Sequence, residues 1–239
     1  IPKYLLFLEN AFSYMDNYNY HKGMNAIVQE LKGLLKTKSI GTNSDRALLL
    51  DFQATLEIKP EKAIKLEKDA LAQIENITAD NARLVSNLHA NLGGLYRMNG
   101  HPDLAREHME KSISLLDQFN LLHINDSIPQ IANYAMFLTE QQEPERGISE
   151  LQKLSGIIKE YHSDDCLDYA KVQETLGTIY LMTANLPQAK THFKRAFKIY
   201  EKIWADEPEM IEAKYQEIQE LYPQIGFCIG KNLSGLLTK

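Results

Sequence analysis

The stretch LGGLYRMNGHPDLAREHMEKSISLL, Leu92–Leu116, places small and large apolar residues at regular offsets. A Leu-Gly pair is followed three residues later by Tyr96, and nine residues after that by Ala105. The Leu-Gly-x-x-Tyr pattern returns 84 residues downstream, at Leu176, and a size-matched Tyr-Ala-x-x-Leu lies halfway between the two. The chain of 239 residues therefore contains a repeat with a period of 42 residues.

The repeat is built from columns in which residues of similar size recur at this period. A small residue on each of two neighbouring helices lets the backbones approach, and larger residues fill the remaining space, so each unit is predicted to be a helix hairpin. One period upstream, Ala63 and Ala70 continue the small columns, but Asp51 and Glu67 interrupt the pattern. The columns are Gly93, Ala135 and Gly177; Tyr96, Leu138 and Tyr180; Ala105, Gly147 and Ala189; Met109, Leu151 and Phe193; and Ser112, Leu154 and Ala196.

A proline precedes the second helix of each of these predicted hairpins. Proline lacks a backbone N–H, which is no loss in the first turn of a helix, where that group has no partner within the helix. The proline-containing stretches are therefore predicted to be the turns between paired helices. They are IKPEKA (Ile58–Ala63), NGHPDLA (Asn99–Ala105), QQEPERG (Gln141–Gly147) and ANLPQA (Ala184–Ala189).

These columns and prolines resemble the tetratricopeptide repeat, whose consensus has Leu-Gly, Tyr, Ala, Phe and Ala at the same offsets. The usual unit has about 34 residues, and the longer unit of this chain is similar to that of the kinesin light chain subgroup. His89 and Ile131 depart from the consensus, which has tryptophan at this position. The resemblance implies an all-α fold in which helix hairpins stack into a right-handed α-α superhelix, a solenoid.

We expect the whole chain, residues 1–239, to form one tetratricopeptide-repeat domain. In its first, weaker unit, Tyr14 occupies the tyrosine column and Gly23 the alanine column. The chain begins with Ile1 rather than methionine, which is compatible with excision from a longer polypeptide. The predicted units lie near residues 4–40, 44–85, 86–127, 128–169 and 170–208, followed by C-terminal helices at 209–239.

Composition and charge argue against several classes of function. The 44% hydrophobic and 24% charged residues are ordinary for a soluble globular protein. A net charge of −6 without a basic cluster argues against a nucleic-acid-binding module, and no apolar run approaches the roughly 18 to 20 residues of a membrane span. Cys166 and Cys228 form neither a metal-binding pair nor a disulfide framework, so we expect a reducing, cytoplasmic compartment.

No motif in the sequence predicts catalysis. GFCIGKNLSG (Gly226–Gly235) has one residue too few between its glycines for a phosphate loop, and Asn232 stands where Ser or Thr is required. YHSDDC (Tyr161–Cys166) gathers metal-ligand residue types, but Ser and Asp ahead of a predicted helix are more typical of capping. The histidines form no metal-binding pair, and we interpret them as surface or half-buried packing residues. We therefore expect no enzyme activity, no metal and no cofactor.

The family resemblance implies a different kind of site, on the concave face of the superhelix. There, one side of the first helix of each unit commonly holds an extended peptide or a helix of a partner protein. The positions that would face this groove follow from the start of each unit. The candidate peptide-binding residues are Asn87, Asn91, Arg97, Met98, Asn133, Met136, Glu140, Lys171, Glu174, Thr178 and Met182.

Two of these residues, Asn91 and Asn133, lie one period apart immediately before the leucine column. They resemble the asparagines with which kinesin-light-chain-like repeats clamp the main chain of a peptide, because an amide offers both a donor and an acceptor. Methionines around them supply adaptable apolar contacts. The alternative interpretation is that asparagine is tolerated on any wet helix face and that methionine fills gaps in the core.

The sequence leaves two functions open. The first is a non-enzymatic module that binds a protein or peptide in the groove. The second is a sensor or regulatory repeat domain of a larger bacterial regulator or signalling ATPase. The identity of the partner and the oligomeric state are not encoded in the repeat, because the columns describe the scaffold and the groove residues differ with each ligand.

Overall fold

A computed structural model describes residues 2–17, 19–37, 41–124 and 127–221. Every regular element in these ranges is an α-helix, which confirms the predicted all-α fold class. Successive helices of these ranges pair into hairpins, α1 with α2, α3 with α4, α5 with α6, α7 with α8 and α9 with α10. The helices are α1 (Pro2–Asn17), α2 (His21–Lys36), α3 (Asn43–Thr55), α4 (Pro60–Leu71), α5 (Ala82–Met98), α6 (Pro102–Gln118), α7 (Ser127–Glu140), α8 (Pro144–Tyr161), α9 (Leu167–Met182), α10 (Leu186–Ile203) and α11 (Pro208–Leu221).

The contacts between these helices gather into two compact units. Unit 1, Ile1–Leu121, contains the hairpins α1–α2, α3–α4 and α5–α6. Unit 2, Leu122–Lys239, contains α7–α8, α9–α10 and the single helix α11. The expectation that residues 1–239 form one domain stays a prediction, and each unit is described by itself below.

The repeat columns form the core of the three hairpins α5–α6, α7–α8 and α9–α10, as predicted. Their side chains are buried, apart from that of Tyr180, which is half-buried. In each of the three downstream hairpins, one of the two small columns holds a glycine and the other an alanine, and a Cβ atom on the glycine would lie 3.0 Å or less from an atom of the facing helix. The glycine stands on the first helix in α5–α6 and α9–α10, and on the second helix in α7–α8. These pairs are Gly93 with Ala105, Ala135 with Gly147, and Gly177 with Ala189.

The turns inside these hairpins share one backbone geometry. Gly100, Gln142 and Ala184, again 42 residues apart, have positive φ angles of 72°, 65° and 58°. In each turn the next backbone N–H donates to the carbonyl oxygen of the tyrosine-column residue, at 2.9, 2.8 and 2.7 Å. This closure satisfies a carbonyl group that the end of the helix would leave without a partner. Pro60, Pro102 and Pro144 are the first residues of the following helices, and Pro187 is the second residue of α10, as the sequence predicts.

The start of α5 differs from its predicted position by four residues. It begins at Ala82, whereas the predicted unit begins at residue 86. The preceding turn supplies the reason, since the backbone N–H of Thr78 donates to Oδ1 of Asn81 at 2.8 Å, and the amide of Ala82 already bonds to the carbonyl of Thr78. Helical bonding therefore starts earlier than the columns indicate.

The first hairpin departs from the repeat. Tyr14 is 65% exposed, so it does not pack as Tyr96 does, and the buried aromatic residue of α1 is Phe12. The Phe12 ring stacks on Phe52 of α3, with ring centroids 3.9 Å apart. Gly23 is buried as predicted, and a Cβ atom there would overlap with Sδ of Met15.

The C-terminal helices predicted at 209–239 are described in part. α11 occupies the first half of this range and packs on α10. Residues 222–239, which include Cys228 and the Gly226–Gly235 stretch, lie outside the described residues.

Candidate functional site

In unit 2, the first helices α7 and α9 pack side by side and carry seven of the candidate groove residues. Asn133 is exposed and makes no side-chain hydrogen bond within the described ranges. Met182, at the end of α9, is 43% exposed. We use the name Asn133 surface for five candidates of α7 and α9 whose side chains are exposed or half-buried. They are Asn133, Met136, Glu140, Lys171 and Met182.

Glu174 makes contacts inside unit 2 that the sequence does not indicate. The hydroxyl of Tyr200 donates to its Oε2 at 2.5 Å, and Nζ of Lys214 lies 3.0 Å from its Oε1. Glu174 therefore joins α9 to α10 and α11. One turn later on the same helix, Thr178 is only 8% exposed. We leave both residues out of the Asn133 surface, because their side chains belong to contacts inside unit 2.

The ionisation of this contact is consistent with an ion pair. Burial lowers the pKa of Lys214, but the neighbouring Glu174 and Glu217 more than offset it, so the pKa is raised overall. Burial and the charge of Glu174 both raise the pKa of Tyr200. At neutral pH the lysine is therefore charged and the tyrosine keeps its proton, as the two hydrogen bonds to Glu174 require.

In unit 1, the candidates lie on α5. Met98 is 81% exposed, whereas Asn87 and Arg97 are half-buried. Asn91 is exposed, but its amide nitrogen is already engaged: Nδ2 donates to Oδ1 of Asp51 at 2.9 Å and to Oε1 of Glu67 at 3.2 Å. Of its amide group, only the carbonyl oxygen Oδ1 is left to bind a partner.

The two asparagines that the sequence treats as equivalent are therefore different. Asn133 offers a donor and an acceptor, and Asn91 offers an acceptor. The sequence holds a signal of this difference, because Asp51 stands in the column of Gly93, and Glu67 stands in the column of Met109. Charged residues in two core columns indicate a polar contact inside the α3–α4 hairpin.

Half-buried histidines form a second set of polar contacts, inside the hairpins. In α5–α6, Nδ1 of His89 lies 2.8 Å from Nδ1 of His108. In α9–α10, Gln173 and His192 occupy the same two columns and bond at 2.9 Å. Both His108 and His192 also stack on a tyrosine, with ring centroids 5.5 and 5.3 Å apart. These histidines pack within the fold, as the sequence analysis expects.

Burial keeps the histidine pair uncharged. It lowers the pKa of His89 to about 4, with smaller contributions from His108 and Lys111, and it also lowers the pKa of His108. An unfolded histidine titrates near pH 6.5. The unfolded chain therefore binds more protons than the folded one below that pH, and folding stability decreases as the pH falls from about 6.5 towards the lowered pKa values.

We expect His89→Gln to reduce this acid sensitivity, because the chain already uses glutamine in the corresponding pair of α9–α10. The free energy of unfolding at neutral pH should change by less than about 1 kcal/mol, since one neutral hydrogen bond replaces another. Between about pH 6.5 and 5 the variant should lose less stability than the unsubstituted chain. Urea unfolding followed by NMR signals of α5 and α6 measures both. His21→Gln, at an exposed position of α2, serves as the control. The prediction would be contradicted if the free energy of unfolding depended equally on pH in the two variants.

The Tyr161–Cys166 stretch contributes the N-terminal cap of α9. The backbone N–H of Tyr169 donates to Sγ of Cys166, so the cysteine, and not the preceding Ser or Asp, caps α9. Asp165 forms an ion pair with Lys202 of α10. Across the described ranges, no group of three or more His, Cys, Asp or Glu side chains is placed to hold a metal ion.

No helix among the described residues combines the length and the apolar character that crossing a membrane requires.

Comparison with known proteins agrees with this geometry. Residues 127–202 match the family model for the tetratricopeptide repeat. The full sequence finds no significant match among curated proteins.

Solved structures are similar over most of the chain. BtubC (BKLC) from P. vanneervenii is 18% identical, with a TM-score of 0.68 over 96% of this chain and 92% of that one. A crystal structure of nearly identical TPR-like repeats of a kinesin light chain from Podosopora anserina is 13% identical in sequence. Its TM-score is 0.63, over 83% of this chain and 96% of that one. Residues 127–202 are therefore tetratricopeptide repeats, and the described helices on either side of them share the fold of that family.

Proposed function

We propose that this chain is a protein-interaction module that binds an extended peptide segment on the Asn133 surface of unit 2. Tetratricopeptide repeats generally mediate interactions between proteins and typically serve as scaffolds without catalysis. The observation that carries the proposal is the state of Asn133, an exposed amide on a first helix whose hydrogen-bonding groups are not used by the described residues.

An asparagine in this state suits the main chain of a peptide. Its Nδ2 can donate to a peptide carbonyl while its Oδ1 accepts from a peptide N–H, so recognition does not depend on the side chains of the ligand. The rigid helix holds the amide in place, which reduces the entropy lost on binding. Asn133 is thus suited to fix the register of an extended segment.

The exposure of the methionines favours binding over gap filling. Met182 is 43% exposed in unit 2, and Met98 is 81% exposed in unit 1. A methionine that fills a gap in the core would be buried, as Met109 is at 4%. A flexible thioether on the surface can adapt to apolar side chains of different shape. The partner segment therefore combines an accessible main chain with apolar side chains.

Charges on the Asn133 surface have both signs. Glu140 is acidic and exposed, and Lys171, which lies 4.0 Å from Asp168, is basic and exposed. Such a surface does not select a ligand of high net charge. We therefore expect binding to depend weakly on salt concentration.

The test is a selection of peptides from a displayed random library on the full chain, followed by affinity measurements on the selected peptide. Asn133→Ala should weaken binding by at least about tenfold, equivalent to about 1.4 kcal/mol, because two hydrogen bonds to the peptide main chain are lost. Met182→Ala should weaken it to a smaller extent. Isothermal titration calorimetry at fixed salt concentration measures both effects.

Gln152→Ala is the matched control, because it removes an exposed amide from the second helix α8 rather than from the first-helix face. It should retain full affinity. A folded Asn133→Ala variant that binds as tightly as the Gln152→Ala variant would contradict the proposal. So would a selected peptide whose binding shifts NMR signals only outside α7 and α9.

A further inference from the structure

The repeat geometry brings Asp51 and Glu67 face to face. Their columns hold Gly93 and Met109 in α5–α6, where a Cβ atom on the glycine would lie 2.6 Å from Cγ of the methionine. The same columns in α9–α10 place a Cβ on Gly177 3.0 Å from the ring of Phe193. In α3–α4, two carboxyl groups occupy these positions, at the place where the helices of a hairpin approach most closely.

The contacts of Glu67 favour a protonated carboxyl group. The side chain is 1% exposed, its Oε1 accepts from Asn91, and its Oε2 is buried and accepts a hydrogen bond from no described donor. Two carboxylates cannot bond to each other, because neither has a donor. A proton on Glu67 makes it a donor to Asp51, which satisfies Oε2 without any other group.

The surrounding charges favour the same state. Burial is the main cause that raises the pKa of Glu67, followed by the charge of Asp51. Burial likewise raises the pKa of Asp51, and Glu9 and Asp16, which face it from α1, raise it further. Arg83 of α5 is paired with Glu9 at 2.6 Å. The hydrogen bond from Asn91 acts in the opposite direction on both carboxyls but does not reverse the shift.

We propose that Asp51 and Glu67 share one proton at neutral pH, and that this acid pair fixes the Asn91 amide with its nitrogen inward and its carbonyl oxygen outward. The pair is thus a positioning device that connects α3, α4 and α5. One consequence is that any partner that binds the Asn91 side chain must supply a hydrogen-bond donor. The shared proton itself does not depend on any partner.

The proton makes folding dependent on pH in a defined direction. An unfolded glutamate loses its proton near pH 4.3, whereas the folded protein retains it to a higher pH. Above the ordinary carboxyl range the folded state therefore binds more protons than the unfolded state, and stability decreases as the pH rises. Between about pH 7 and 9, where the histidine pairs are neutral in both states, the unfolding equilibrium constant should rise by up to about tenfold per pH unit.

Glu67→Gln tests this on the full chain. The glutamine reproduces the protonated form, since its Oε1 can accept from Asn91 and its Nε2 can donate to Asp51. Urea unfolding is followed by backbone NMR signals of α3 to α5 at pH 7 and pH 9. Over this interval the unfolding equilibrium constant of the unsubstituted chain should rise. The rise for the variant should be smaller by a factor of at least about ten. Glu61→Gln, which removes the same charge from an exposed position on α4, should follow the unsubstituted chain.

A direct measurement on the unsubstituted chain covers the case in which the variant perturbs the fold. The carboxyl carbon signals of Glu67 and Asp51 are followed by NMR during a pH titration. We expect Glu67 to keep the chemical shift of a protonated carboxyl at pH 7. An ionised Glu67 at that pH would overturn the proposal. So would a free energy of unfolding that depends equally on pH in Glu67→Gln and Glu61→Gln. Neither measurement uses a ligand, so failure here is distinct from failure of peptide binding on the Asn133 surface.

Discussion

Gly147→Ala is expected to destabilise the α7–α8 hairpin by about 2 to 3 kcal/mol, the cost of overpacking a tight contact. A Cβ atom at this position would lie 2.6 Å from the carbonyl oxygen of Ala135 and 3.2 Å from its Cα and carbonyl carbon. These are backbone atoms of the facing helix, so no side chain can move aside, and the two helices must separate. The loss should exceed the gain of up to about 1 kcal/mol that alanine brings to a helix interior.

Gly156→Ala provides the matched control on the same helix. A Cβ atom there would meet nothing within 4 Å, so this variant should gain about 0.5 to 1 kcal/mol from helix propensity. The stability of Gly93→Ala should lie between those of Gly147→Ala and Gly156→Ala, because the atom nearest to its Cβ belongs to the flexible side chain of Met109. Urea unfolding followed by circular dichroism gives the order. A Gly147→Ala variant as stable as the Gly156→Ala variant would contradict the packing derived from the repeat columns.

The success of the columns has a physical basis. Where two helices cross, the space for side chains is fixed by backbone distance, so the size of the residue is constrained at each repeat. This is why Gly93, Ala105 and Gly147 could be assigned to the crossings from spacing alone. The first hairpin shows the limit of the method: Tyr14 has the correct residue type at the expected place, but Phe12 is the ring that reaches Phe52.

The surface residues are harder to predict, because their roles depend on helices far away in sequence. Asn91 bonds to residues 40 and 24 positions earlier in the chain, which removes its donor from the surface. Counting from the start of their unit predicts an open face for Glu174 and Thr178. Lys214 of α11 and Tyr200 of α10 instead engage Glu174, a contact that repeat spacing does not encode. The sequence does indicate one such polar contact, because the charged residues Asp51 and Glu67 stand in core columns.

The second large effect is expected from Lys214→Met, which removes the cation from the Glu174 contact while keeping a side chain of similar volume. The side chains of Lys214 and Glu174 are only 20% and 18% exposed. Without Lys214, the carboxylate of Glu174 keeps the hydroxyl of Tyr200 as a hydrogen-bond donor but has lost its cation. Breaking a fully buried pair costs about 3 to 5 kcal/mol, and partial access of water should reduce the loss here to about 2 kcal/mol.

Fluorescence of Trp204 during urea unfolding measures this loss, because its ring stacks on Tyr200 with centroids 4.9 Å apart. The double variant Glu174→Gln and Lys214→Met should recover at least half of the stability, since a neutral amide can accept from Tyr200 without a cation. Lys202→Met, which removes a lysine from the exposed ion pair with Asp165, should leave stability unchanged within error. If Lys214→Met also left stability unchanged, the contact of Glu174 with α11 would not stabilise the fold. Glu174 would then again be a candidate for binding a partner.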